Sequence, residues 1–291
     1  MTVYRTFLFA PGNHPRRVEK AFTIGADAVI LDLEDAVAVS EKVATRLLVM
    51  EALQRKRACK GYVRVNATST EFGFADIMAV VRPGLDGIIL PKVESAAGLQ
   101  AVDWMLANLE RERHLEAGGI DLIPIVETAQ GLTQMEAIAR AGTRTRRIAF
   151  GAGDMTLDLG MTWTREETEL QSMRTQFVIL SRAAGLEPPL DTVWIDLRDP
   201  NGFLQSVEHV RGLGFQGKMC IHPDQVPVAN AAFAPTVEQV EQARQFVAAF
   251  EEAEAQGLAS IQLEGKFIDY PIVAAARRLL DKAALIAGGV G

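Results

Sequence analysis

Eight short β-rich runs alternate with longer stretches of helical spacing along most of the chain, and no other feature limits its possible folds as severely. The runs are Thr6–Ala10, Ala28–Glu34, Gly61–Asn66, Gly87–Lys92, Ile120–Glu127, Arg147–Asp154, Thr192–Leu197 and Gly217–His222. Between them lie amphipathic segments such as Pro15–Gly25, Ser40–Lys56, Ser95–His114, Arg165–Gly185 and Pro200–Gly214, several opened by a capping residue or proline and closed by glycine. Strands this apolar must be covered on both faces, so eight successive βα units predict a closed parallel (β/α)8 barrel of the TIM type. An open dinucleotide-binding sheet is the competitor, but no G-x-G-x-x-G follows a strand, and Gly151, Gly153 and Gly160 do not fit that spacing.

The chain has 291 residues, and a barrel of this kind uses about 250. The excess is at the end. Thr236–Gln256 reads as a long acidic helix and Gly257–Lys266 as a loop or short strand, while Asp269-Tyr270-Pro271 opens a final helix through Leu285. The expected organisation is a catalytic barrel over 1–235 and a helical extension over 236–291. Such a tail either covers a neighbouring subunit's site as a lid or packs on its own barrel.

Thirty basic against 37 acidic residues give a net charge of -7, which repels a polyphosphate backbone and argues against a nucleic-acid partner. A local basic patch could still hold a small anion. No stretch approaches the roughly 20 apolar residues of a membrane helix. With neither a cleavable leader pattern nor any metal-ligand spacing between its two cysteines, Cys59 and Cys220, the protein is expected in the cytoplasm with both thiols reduced.

In a (β/α)8 barrel the carboxyl ends of the strands converge on one mouth. The expected strand ends carry Glu34, Asp35, Arg64, Asn66, Lys92, Glu127, Asp154, Asp196 and His222. Glu127 and Asp154 end successive strands, and two carboxylates without histidine or thiol suit a hard cation, Mg²⁺ or Mn²⁺, unless each merely caps the next helix. Glu34 and Asp35 would then accept hydrogen bonds from water on that cation. Arg64 presents a planar fork matched to a carboxylate or enolate, or else serves as a structural partner of Glu34 or Asp35. Lys92 reads as a salt-bridge partner in this crowd of carboxylates, a Schiff base being the other possibility. Arg16, Arg17 and Lys20, following Pro11-Gly12-Asn13, form either an anion clamp or a solvated helix face.

Taken together, these residues resemble the family of the citrate lyase beta subunit, malyl-CoA lyase and citramalyl-CoA lyase, barrels of the phosphoenolpyruvate and pyruvate superfamily. The resemblance is carried in order by Leu8-Phe9-Ala10-Pro11-Gly12-Asn13, Leu31-Asp32-Leu33-Glu34-Asp35-Ala36-Val37, Val63-Arg64-Val65-Asn66, Leu90-Pro91-Lys92-Val93-Glu94, Val126-Glu127-Thr128, Gly151-Ala152-Gly153-Asp154, Ile221-His222-Pro223 and Ile268-Asp269-Tyr270-Pro271. It implies Glu127 and Asp154 as magnesium ligands, Arg64 as the residue holding the oxo acid, and Phe9, Arg16, Lys20, Ile221 and His222 as contacts to coenzyme A. It further implies Asp269 as a catalytic aspartate delivered by a neighbouring subunit, in a homotrimer or hexamer. Phe9 stands where a tyrosine can occur in the family, which removes one hydrogen bond.

The implied activity is Mg²⁺-dependent cleavage of a 3-hydroxy acyl-CoA thioester. (S)-Citramalyl-CoA, giving acetyl-CoA and pyruvate, is preferred over malyl-CoA, giving acetyl-CoA and glyoxylate. Three alternatives stand beside it: a citrate lyase beta subunit working with an acyl carrier protein and an alpha subunit, an aldolase on free hydroxy-oxo acids, and a malyl-CoA thioesterase.

Overall fold

The computed structural model describes residues 3–288. Residues 1–2 and 289–291, at the ends of the two spans expected from the sequence, lie outside the described residues. The chain divides into two compact units, the first covering Tyr4–Ala231 and the second joining Val3 to the residues from Ala232 onward.

The first unit is a closed barrel of eight parallel strands. They are β1 (Thr6–Pro11), β2 (Ala28–Asp32), β3 (Lys60–Arg64), β4 (Gly87–Leu90), β5 (Asp121–Val126), β6 (Ala149–Phe150), β7 (Leu190–Asp191) and β8 (Gly217–Cys220). Closure is set by β8 pairing with β1, Met219 opposite Phe7. Strands β2, β4 and β8 are buried along their whole length, as the covering of both faces requires.

Most strands end one or two residues before the expected limit, so Glu34, Asn66, Lys92, Glu127 and His222 lie just past their strands, and two strands differ by more. The run ending at Asp154 is a strand only over Ala149–Phe150, because the Ala152 amide donates to Thr192 Oγ1 at 2.9 Å and the helix Ala152–Asp158 begins there. Asp154 therefore sits in the first turn of a helix. β7 lies at Leu190–Asp191, upstream of the expected Thr192–Leu197. Trp194 Nε1 donates to Asp196 O at 2.9 Å, so that segment folds into a loop despite its β-branched and aromatic residues.

Charged and aromatic side chains close the amino-terminal end of the barrel. Tyr4, Phe7 and Tyr62 meet edge to face, with ring centroids 5.1 to 6.2 Å apart. Arg147, fully buried, lies over Tyr4 and pairs with Asp121 and Glu187. Gly87 is where the Tyr62 ring needs room, since a Cβ there would overlap it. Elsewhere in the barrel wall, buried Asp191 joins Arg174 and Lys218, and Glu167 and Ser206 complete the cluster.

The second unit has its own small core of Phe250, Ile268 and Val273. Thr236 and Gln239 form a capping box at the head of the helix Val237–Ala255. The segment expected as a loop or short strand is an antiparallel hairpin, β9 (Ser260–Leu263) and β10 (Lys266–Asp269). Glu264 and Gly265, both at positive φ, make its two-residue turn. Asp269 then caps the helix Tyr270–Ala287, accepting from the Ile272 amide at 3.3 Å.

Candidate active site

The register places Asp32 opposite Arg64 at the carboxyl ends of β2 and β3. Arg64 Nε donates to Asp32 Oδ1 at 2.7 Å and Nη2 to Oδ2 at 2.6 Å, a two-point clamp. The remaining nitrogen, Nη1, lies 3.0 Å from Glu34 Oε2 and 3.3 Å from Asp35 Oδ2. The Phe9 ring completes the setting, 4.8 Å from the guanidinium carbon. Burial works against the charged forms of Arg64 and Asp32, but their mutual attraction outweighs it: Arg64 is held above its ordinary value and Asp32 below.

Lys92 links this group to the strands beyond. Its backbone is left-handed, at φ 52, a conformation a lysine rarely adopts. Nζ reaches Glu34 Oε1 at 2.7 Å and Asp154 Oδ2 at 3.0 Å, while its amide donates to Glu127 Oε1 at 2.9 Å. Burial lowers the ammonium's affinity for its proton, and the bonds to Glu34 and Asp154 more than restore it. Burial pushes the Glu34 carboxyl up, an effect Arg64 and Lys92 only partly offset.

Glu127 is buried, at 4% accessibility, without an arginine of its own to balance it. Burial first, then the charges of Glu34 and Asp154, push its carboxyl up to about 8. Space for it is made by Gly151, where a Cβ would overlap Glu127 Oε2. Glu127 and Asp154 both contact Lys92, and two carboxylates with no imidazole or thiol beside them are donors of the type that suits a hard divalent cation. A cation there would also compensate the charge that burial and the neighbouring carboxylates make costly on Glu127. Among the described residues no group of three or more His, Cys, Asp or Glu is placed to hold a metal. Further oxygens would have to come from substrate and water.

The other expected residues lie as follows. Arg16 and Lys20 are exposed on the short helix Pro15–Ala21. Ile221 and His222 follow β8, and their amides converge on Gln225 Oε1 at 2.9 and 3.2 Å. Asp35 is largely exposed. Asp196 lies in the loop after β7, on the wall of a cleft that also includes Trp163, Arg165, Trp194 and Ile195. Asp269 belongs to the second unit. The sequence reading did not single out Asp32 as a site residue. The signal is present, because a period of two puts Asp32 on the same face as Glu34.

A (β/α)8 barrel that gathers carboxylates, a lysine and a clamped arginine at the carboxyl ends of its strands has the arrangement of a barrel enzyme's active site. Residues 5–223 match the family described as HpcH/HpaI aldolase/citrate lyase. The chain belongs to this family, and it is an enzyme of the lyase class. It is 38% identical to the citrate lyase subunit beta of Haemophilus influenzae over 97% of this chain and 98% of that one. It is 36% identical to a (3S)-malyl-CoA thioesterase of Cereibacter sphaeroides, covering 98% of this chain and 96% of that one. A Mycobacterium tuberculosis CitE structure in complex with magnesium, acetoacetate and coenzyme A superimposes with a TM-score of 0.78 at 29% identity, covering 97% and 98% of the two chains. No helix among the described residues is long and apolar enough to cross a membrane.

Proposed function

We propose that the protein is a Mg²⁺-dependent carbon–carbon lyase of 3-hydroxy acyl-CoA thioesters, with (S)-citramalyl-CoA as first candidate substrate and malyl-CoA as second. The observation that carries this reading is the Glu127–Asp154 carboxylate pair beside Lys92 and the Arg64 clamp. Glu127 and Asp154 would hold Mg²⁺, or Mn²⁺, which supplies Lewis-acid polarisation of the hydroxyl and carboxylate of the acid half. The mycobacterial CitE complex, which contains both magnesium and coenzyme A, supports the same assignment.

The chain's own residues do the rest. Arg64 keeps an N–H on Nη2 beyond those spent on Asp32, and it stabilises negative charge on the oxo-acid oxygen. The bond between the carbinol carbon and the carbon next to the thioester breaks. Its electron pair stays on the acetyl-CoA carbon as an enolate, while the hydroxyl oxygen gives its proton to solvent water as it becomes the ketone of pyruvate or the aldehyde of glyoxylate, which balances the proton that a protonated Asp269 delivers to carbon. Asp269, brought by the extension of a neighbouring copy acting as a lid, protonates that enolate and in reverse removes the acetyl proton. Arg16 and Lys20 take the coenzyme A phosphates, with Phe9, Ile221 and His222 beside the thioester arm. On this reading the protein is a cytoplasmic homotrimer or hexamer.

Two relatives favour neighbouring readings. Likeness to citrate lyase beta subunits favours a citryl thioester on an acyl carrier protein, with an alpha subunit as partner. Likeness to a malyl-CoA thioesterase favours thioester hydrolysis as an added activity. Purified protein with Mg²⁺ and (S)-citramalyl-CoA, malyl-CoA or citryl-CoA, with 2-oxo acid and free thiol followed separately, tests all three. Oxo acid without thiol, abolished by EDTA, is the expected result. Thiol without oxo acid means hydrolysis, and neither product turns the assignment to the carrier-bound substrate.

A further inference from the structure

Lys42 lies on the helix Lys42–Leu53, apart from the Arg64–Lys92 group of side chains, yet its side chain is buried. A buried ammonium is costly unless all its protons are used. Nζ uses all three, donating to Leu33 O at 3.0 Å, Glu34 O at 2.6 Å and Asn66 Oδ1 at 2.7 Å. Two of these acceptors are consecutive carbonyls of the segment that leaves β2, and the third belongs to the segment that leaves β3. Asn66 is fixed in turn: Nδ2 donates to Leu33 O at 2.9 Å and to Asp76 Oδ2 at 2.6 Å. The other oxygen of Asp76 takes Arg46 Nε at 2.7 Å. The backbone beneath Glu34 is thus tied from behind by a fully satisfied polar chain, and the Glu34 carboxylate bridges Arg64 Nη1 and Lys92 Nζ.

We infer that Lys42 is a positioning residue that fixes Glu34 between Arg64 and Lys92 and thereby sets how much of Lys92 falls on Asp154. Lys92 divides its ammonium between Glu34 and Asp154. When Glu34 drifts, Lys92 leans on Asp154 alone and competes with any cation for that carboxylate. The inference rests on Glu127 and Asp154 being the cation site.

The test is a double-mutant cycle read by Mn²⁺ binding, using calorimetry on the full chain without substrate. The proteins are wild type, Glu34→Gln, Lys42→Gln and the double variant. Glu34→Gln loosens Mn²⁺ by about tenfold, the scale of one lost charge-assisted hydrogen bond. Lys42→Gln loosens it by roughly half as much on a logarithmic scale, about threefold, and the double variant matches Glu34→Gln alone, because Lys42 acts through Glu34. Effects that multiply, or a folded Lys42→Gln protein with wild-type affinity, overturn the inference. Wild-type protein that binds no Mn²⁺ overturns the cation site itself, and the inference with it. If Lys42→Gln does not fold, Asn66→Ser enters the same cycle with the same expected non-additivity.

Discussion

Arg64 and Asp32 face each other across β2 and β3 as a two-point ion pair, Nε to Oδ1 at 2.7 Å and Nη2 to Oδ2 at 2.6 Å. The pair fixes the plane of the guanidinium, so the N–H groups it leaves over point in one direction only. An arginine aimed in this way can discriminate a planar oxo acid, whereas a freely rotating one would offer charge without orientation.

Asp32→Asn is therefore expected to reduce kcat/KM by about 10²-fold, a loss of roughly 2.7 kcal/mol in transition-state stabilisation. It also leaves Arg64 partly unpaired in a buried setting, which costs about 3–5 kcal/mol of folding stability. Steady-state kinetics at a temperature where the variant remains folded separates the two effects. A variant with unchanged kcat/KM removes Arg64 orientation from the mechanism.

Gly151 tests the cation site without touching a ligand. A Cβ at this position overlaps Glu127 Oε2, and its φ of -108 is open to any residue, so the constraint is one of space alone. Gly151→Ala should displace the Glu127 carboxylate and raise the Mg²⁺ concentration needed for half-maximal activity by at least about tenfold, while circular dichroism stays that of the barrel. Glu127→Ala should abolish metal-dependent turnover altogether. An unchanged Mg²⁺ concentration for half-maximal activity in Gly151→Ala, or full Mg²⁺-dependent activity in Glu127→Ala, removes Glu127 from the site.

The barrel was legible because its strands are apolar on both faces, a pattern that survives without knowledge of any partner. What could not be read was where charge is buried. Asp191 sits in β7 itself, its charge met by Arg174 and Lys218 from distant parts of the chain, and no local spacing announces that pairing. The more β-like segment Thr192–Leu197 draws the strand assignment too far along the chain. Lys42 reads as a surface lysine of an amphipathic helix until its three acceptors are seen. Asp154 reads as a strand residue because Gly151-Ala152-Gly153 carries no helix signal, and its helix starts where the Ala152 amide donates to Thr192, 40 residues away.

Asp191 gives the pH dependence a sign. Burial alone would raise its carboxyl, but Arg174 and Lys218 outweigh that and hold it below the usual carboxylate range. A group depressed in the folded state contributes stability above its unfolded pKa of about 3.9 and loses it as pH falls through the depressed folded value. Asp191→Asn should thus destabilise the protein by about 3–5 kcal/mol at pH 7, with the gap to wild type narrowing only below about pH 4. Denaturant midpoints of both proteins across that range check it. A gap that stays constant into acid means Asp191 is not held as an anion.

Asp269 decides whether the site is shared between subunits. In its own chain it caps the helix Tyr270–Ala287, so replacement by alanine removes one cap, worth about 1 kcal/mol, and leaves the barrel residues untouched. If the extension of one copy completes the site of the next, Asp269→Ala and Glu127→Ala proteins are each inactive for different reasons. Mixed and reassembled, some sites then receive an intact barrel from one variant and an intact tail from the other, and partial lyase activity returns. If both groups act within one chain, every site in the mixture carries one defect and no activity returns. Asp269→Ala protein that is fully active by itself points instead to chemistry on a free hydroxy-oxo acid, which needs no enolate of acetyl-CoA to be protonated.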